Sequence, residues 1–181
     1  MPASGSTYPL APRHETGPMS EILHAGLIAL RSGGRWRGAL VFGPSGSGKS
    51  DLALRAMGLG FRLVADDRTL VWTSGGRLFG RAPDVLRGKL EIRGAGVVRL
   101  PCLDLCRIDL AVTAGEPERM PDREALSVLG QDAPRLRLRL TEASAPHRIA
   151  DALCRLGADR EESYQDCLPA PAAPVQGENS P

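Results

Sequence analysis

Read for apolar and polar positions, the chain divides into a patterned middle and two unpatterned ends. Residues 22–29 form an apolar segment containing His24, and residues 38–42 a short apolar run suited to a buried strand, with Ser32-Gly33-Gly34 as a turn between them. Over residues 50–57 the apolar positions Leu52, Ala53, Ala56 and Met57 share one face at helical spacing, and Gly58 and Gly60 stop the helix. Residues 61–65 read as a second buried strand ending at Asp66-Asp67. Residues 69–73 and 77–81 flank Ser74-Gly75-Gly76, a hairpin signal. Residues 108–113 predict another apolar strand. Residues 135–140 alternate strictly, leucines on one face and arginines on the other, which predicts a half-buried strand. Residues 146–156 predict a closing helix that buries Ile149, Leu153 and Leu156 and stops at Gly157.

Strand, loop, helix and strand followed by a hairpin imply an α/β domain with a mixed sheet. Residues 20–166 are expected to form it. Residues 1–19 mix Pro, Ser, Gly and Thr, and residues 167–181 carry Pro169, Pro171, Pro174 and Pro181. Neither end holds enough apolar surface to offset its ordering entropy, so both are expected to be disordered.

Composition narrows the functional classes. Apolar residues at 42% and charged residues at 24% suit a soluble globular domain, and a net charge of +2 argues against nucleic acid or an anionic membrane as partner. No run approaches the roughly 18 apolar residues of a membrane span, and the N-terminus lacks a secretory apolar core. A cytoplasmic location is the expectation. Cys102 and Cys106 have no second Cys or His pair at metal-ligand spacing, so the cysteines are expected to be mostly reduced thiols.

The chemistry begins at Gly43-Pro44-Ser45-Gly46-Ser47-Gly48-Lys49-Ser50, a full G-x4-G-K-S phosphate loop between the predicted strand and helix. Glycines and small serines let backbone N–H groups converge on phosphate oxygens, and the positive end of the helix faces them too. Lys49 reaches the β- and γ-phosphates of a nucleotide, and the Ser50 hydroxyl is a ligand for Mg²⁺. ATP and Mg²⁺ are the expected cofactors. Asp66 and Asp67 stand at a strand end, where ligands of open α/β sheets bind. One acid suits orienting the magnesium or its waters and the other accepting a proton from an incoming hydroxyl. In an extended chain adjacent side chains point apart, which gives the two acids different tasks. In residues 90–98, Glu91 and Arg93 are expected on one strand face, suited to metal binding and to neutralising phosphate charge. His24, beside an acid pair, suits tuning a base.

Taken together and in this order, His24-Ala25, the phosphate loop with Asp51, Leu63-Val64-Ala65-Asp66-Asp67 and Leu90-Glu91-Ile92-Arg93-Gly94-Ala95-Gly96 resemble the HPr kinase/phosphorylase family, in its short alphaproteobacterial form without the N-terminal domain. The resemblance spans residues 24–157. It implies an ATP-dependent kinase that phosphorylates a serine of HPr, the small carrier of the sugar phosphotransferase system, and a fold related to phosphoenolpyruvate carboxykinase. It implies that Lys49 contacts phosphates, that Ser50 and Glu91 bind Mg²⁺, that His24 assists, and that the Asp66-Asp67 pair supplies the base that takes the serine proton, with Asp67 the preferred one of the two. Arg93 and, in Glu118-Arg119-Met120-Pro121, Arg119 take the places of the family's arginines. Phosphorolysis of phosphoserine is the implied reverse reaction, and a homo-oligomer, hexameric in full-length relatives, the implied assembly. Two departures stand out. Asp51 sits where many relatives have Glu, and residues 140–148 lack the Pro-Val-x-x-Gly-Arg-Asn segment tied to phosphorolysis. Two other readings remain: a P-loop kinase of a small metabolite, and a regulatory module that binds ATP without transferring phosphate.

Overall fold

The computed structural model describes residues 20–119 and 124–158. The expected leader 1–19, the tail 167–181 and the last residues of the expected domain lie outside them.

The short strand β1 (Ser20–Leu23) is separated by a bend at His24 from β2 (Ala25–Ser32). A single apolar segment was expected here, and the pairing explains the break. Residues of β1 pair with β5 (Thr69–Ser74), whereas β2 pairs with β3 (Arg35–Phe42) and β4 (Arg62–Ala65). The chain therefore changes neighbours at His24. The helix α1 (Lys49–Met57) follows β3, and the predicted hairpin appears as β5 and β6 (Arg77–Arg81) around Gly75-Gly76. A small separate hairpin, β7 (Lys89–Ile92) and β8 (Gly96–Arg99), precedes β9 (Cys106–Ala114). A second short hairpin, β10 (Ala125–Val128) and β11 (Gln131–Leu138), leads into α2 (Ala145–Ala158).

The main sheet runs β1-β5-β6-β9-β3-β2-β4, and β11 also pairs with β9. Among the described strands, β3 with β9 and β9 with β11 pair in parallel and the other strand pairs are antiparallel, while Leu63 of β4 makes an isolated parallel bridge to Cys102. The sheet is mixed, as expected. Its three parallel strands bring their carboxyl ends to one edge, where the phosphate loop leaves β3.

Both faces of the central strands are covered, which is why β2 and β3 read as near-continuous apolar runs. One face carries Ile28, Ala39, Val41, Leu110 and Val112 against Leu52 and Ala56 of α1 and Ile149 and Leu153 of α2. The other carries Leu27, Leu40, Ile108 and Ala111, clustered with Val71 of β5 and Leu78 of β6. Leu52 has no exposure, a burial worth about 1.5–3 kcal/mol. A buried charged pair links the neighbouring strands β3 and β9. Arg37 on β3 and Asp109 on β9 are nearly fully buried, 3.9 Å apart, and Arg107 also bonds Asp109.

Two predicted details differ. β11 begins at Gln131 and ends at Leu138, so the regular alternation through Leu140 continues past the strand into a turn closed by the Glu142 N–H on the Arg139 carbonyl. Gly157 lies inside α2 rather than ending it. Cys102, Cys106 and Cys154 are free thiols, and burial pushes Cys106 up to about 11.

Candidate active site

The loop from Gly43 to Gly48 turns through two left-handed glycines, Gly46 (φ 82°) and Gly48 (φ 95°). Side chains at either would be strained, and each also has a close neighbour. A Cβ on Gly46 would lie 3.2 Å from Arg93 Nη2, and one on Gly48 would lie 3.0 Å from Thr141 Cγ2. The two glycines thus shape a cradle between Arg93 and Thr141, with the first turn of α1 opening onto it. This geometry fits phosphate oxygens.

Lys49 is buried at 7% exposure, with its ammonium folded back over the loop. It donates to the Gly43 carbonyl at 2.9 Å and the Pro44 carbonyl at 3.2 Å, and lies 3.2 Å from His24 Nε2. On its other ring nitrogen, His24 Nδ1 lies 3.3 Å from Asp67 Oδ1, and Lys49 Nζ is 3.9 Å from the same oxygen. The ammonium has only donors. His24 Nε2 is therefore an acceptor, and the hydrogen of the neutral ring sits on Nδ1, directed at Asp67.

The two acids have separate surroundings. Asp66 is buried at 9% exposure, accepts the Ser50 hydroxyl on both carboxylate oxygens at 2.9 and 3.1 Å, and receives the Glu91 N–H at 3.4 Å. Desolvation raises its pKa above the usual carboxylate value, opposed by the bonds from Ser50 and Glu91. Asp67 is half exposed and adopts φ 59°, a left-handed conformation that Asp tolerates at roughly 1–2 kcal/mol. That backbone turn, rather than simple strand alternation, sends one acid to Ser50 and the other to His24 and Lys49.

The same cavity, about 380 Å³, is lined by the loop, by Asp66 and Asp67, and by Glu91, Ile92 and Arg93 of the β7–β8 hairpin. Arg93 was expected on a strand face beside Glu91. It occupies the turn after β7 instead, which lets its guanidinium reach the crown of the loop. Arg119 is not brought here. It lines a second cavity beside β11, because the chain leaves β9 at Ala114 and passes along that strand.

Sequence reasoning missed the opposite wall. Thr141 lines the site, and the turn that carries it is held by Arg55 of α1, which donates to the carbonyls of Leu140 at 2.5 Å and Glu142 at 2.9 Å. Asp51 pairs with the same guanidinium at 2.8 Å. The usable signal was topological. A third strand parallel to β3 must end on the same edge as the phosphate loop.

The donor set bears on the metal. Among the described residues no three His, Cys, Asp or Glu side chains converge on one point. The hydroxyl of Ser50 and the carboxylates of Asp66 and Glu91 are hard oxygen donors in one cavity. Few protein oxygens beside a phosphate cradle fit Mg²⁺, which takes one or two carboxylates and completes its shell with phosphates and water.

A Gly-x4-Gly-Lys-Ser loop between a strand and a helix, at the carboxyl edge of a mixed sheet, defines a P-loop domain. Residues 20–103 match the family model described as HPr Serine kinase C-terminal domain. An HPr kinase/phosphorylase of Brevibacillus brevis is 36% identical over 115 residues, which are 58% of this chain and 35% of that protein. One of Clostridium tetani is 46% identical over 66 residues, 36% of this chain and 22% of the relative. The chain thus matches about a third or less of the length of these relatives. The solved structure titled as the Hpr(Ser) kinase/phosphatase from Coxiella burnetii superposes with a TM-score of 0.64 at 24% identity, over 79% of this chain and 99% of that one. This likeness shows the fold. No helix among the described residues is long and apolar enough to cross a membrane.

Proposed function

We propose that this chain is an ATP- and Mg²⁺-dependent protein serine kinase whose acceptor is an HPr-like phosphocarrier. The observation that carries the reading is the convergence of Lys49, His24 and Asp67 beside the phosphate loop, in a chain that shares the HPr serine kinase domain over residues 20–103.

In this reading each residue has a definite task. Lys49 gives up the carbonyls of Gly43 and Pro44 and donates to β- and γ-phosphate oxygens. The loop N–H groups hold the phosphates in line, and Arg93 neutralises charge at the crown. Ser50 and Glu91 would hold Mg²⁺, with Asp66 orienting the Ser50 hydroxyl. When bound, Mg²⁺ neutralises charge that develops on the phosphate oxygens. Asp67 accepts the proton of the acceptor hydroxyl, and its exposure leaves room for a protein substrate to approach. His24 positions that carboxylate through Nδ1 and keeps Lys49 in place through Nε2. In the opposite direction inorganic phosphate attacks the phosphorus of phosphoserine to form pyrophosphate, and the protonated Asp67 gives its proton to the departing serine oxygen. A cytoplasmic location and a homo-oligomeric assembly complete this reading.

Mass spectrometry of purified HPr after incubation with the protein, ATP and Mg²⁺ tests it. One added phosphate on a serine is the expected result. ATP binding without transfer to HPr would overturn the acceptor assignment and favour a small-metabolite substrate or a regulatory module.

A further inference from the structure

A second cavity, about 410 Å³, lies along the edge of β11 that continues past its pairing with β10. Its walls combine Pro117, Leu136 and Leu138 with the guanidinium groups of Arg119, Arg137 and Arg148. Size and mixed lining are those of a small-molecule pocket. None of the phosphate-loop chemistry uses it.

Its position is specific. β3, β9 and β11 are parallel neighbours, and the register sets Phe42 beside Thr113 and Thr113 beside Arg137. With strands about 4.8 Å apart, β11 lies about 10 Å across the carboxyl edge from the loop that leaves β3. Leu138 lines the second cavity and Thr141, three residues on, lines the first. The two cavities are thus consecutive along one edge, at a span suited to the two ends of a nucleotide.

The lining favours a flat, weakly charged group over a second cluster of phosphates. Glu124 lies 3.3 Å from Arg135 and 3.7 Å from Arg137, and Glu142 lies 3.1 Å from Arg148. These acids offset most of the positive charge, so what the guanidiniums offer is largely their planes. Arg137 is the best placed. Its stem crosses the end of β9 where Gly115 has no side chain, since a Cβ there would meet Arg137 Cγ and Cδ at 3.2 Å.

We propose that the cavity beside β11 holds the nucleoside end of the nucleotide whose phosphates occupy the Gly43–Ser50 loop, with the guanidinium plane of Arg137 stacked on the base. The assignment rests on the nucleotide-binding reading above. It divides the carboxyl edge of the sheet, nucleoside over β9 and β11 and acceptor over β4, where Asp67 stands. Arg137 is then a binding residue that touches the base and makes no contact with the phosphates.

The test is calorimetric titration of the full chain, in Mg²⁺, with ATP and separately with tripolyphosphate, which has the phosphates and no base. Arg137→Ala is expected to weaken ATP about tenfold, the size of one base stack, and to leave tripolyphosphate unchanged. Arg137→Lys, which keeps the charge and loses the plane, is expected to match the alanine variant. Equal weakening of both ligands would overturn the assignment in favour of a general electrostatic role, and unchanged ATP affinity would place the base elsewhere. A wild-type chain that binds tripolyphosphate as tightly as ATP would overturn this proposal and leave the phosphate loop intact. Binding of neither would remove the nucleotide reading itself.

Discussion

Ser50 and Asp66 are locked together, the hydroxyl donating to both oxygens of a carboxylate that has almost no contact with solvent. Ser50 is the loop residue suited to a metal, so the bond holds its oxygen toward the acids before any ligand arrives. A buried carboxylate with a raised pKa is the cost of this arrangement to the folded state.

That cost gives the first prediction. Because desolvation raises the folded pKa of Asp66, the folded protein binds the proton more tightly than the unfolded chain does. The sign follows: the contribution to stability is complete below the unfolded value of 3.8 and is lost as pH rises through the higher folded value. Asp66→Asn removes the charge and keeps an acceptor for Ser50. Its Tm without ligand should exceed that of wild type at pH 7, with the difference shrinking as the pH approaches 4, while transfer falls. Thermal unfolding across that range checks it, and a lower Tm at pH 7 would contradict it.

Asp67→Asn should behave differently. Loss of a general base costs about 10²–10⁴-fold in rate, and the half-exposed side chain contributes little to packing. Single-turnover transfer should fall by that factor while ATP affinity stays within about threefold, a change below 1 kcal/mol. An unchanged rate would remove Asp67 from the role of base.

His24 sits between Lys49 and Asp67 and has contacts on both ring nitrogens. His24→Gln keeps one polar group in place and cannot span both partners. Its kcat should fall about tenfold, less than the loss of a base. A variant with the wild-type kcat would make His24 a bystander.

The buried pair across β3 and β9 predicts a loss of stability without a direct effect on the site. Asp109→Ala leaves Arg37 nearly fully buried beside an absent carboxylate. Removing one member of such a pair costs about 3–5 kcal/mol. Urea unfolding should show that loss as a lower midpoint.

Much of the architecture was legible because local signals agreed. The phosphate loop, the strand before it and the helix after it stand where residues 38–57 placed them, and Gly75-Gly76 turns the predicted hairpin. What escaped was set by distant partners. Nothing near His24 reveals that β1 pairs with β5 while β2 pairs with β3. Arg93 looked like a strand residue because Leu90 and Ile92 alternate around Glu91, yet the next residues make a turn. The wall carrying Thr141 depends on Arg55 bonding carbonyls 85 and 87 residues away, which no local pattern encodes. Asp66 and Asp67 were visible as a pair, but the positive φ of Asp67 that separates their partners was not.

The clamp from Arg55 has a mechanical consequence. Two carbonyl bonds strap α1 to the turn between β11 and α2, which ties these parts of the frame together. Facing it, the β7–β8 ribbon lies outside the main sheet's ladder and presents Glu91 and Arg93. Compliance is thereby concentrated on one side of the cleft. Amide exchange that slows on ligand binding should do so chiefly in that ribbon, while the strapped side is protected from the outset.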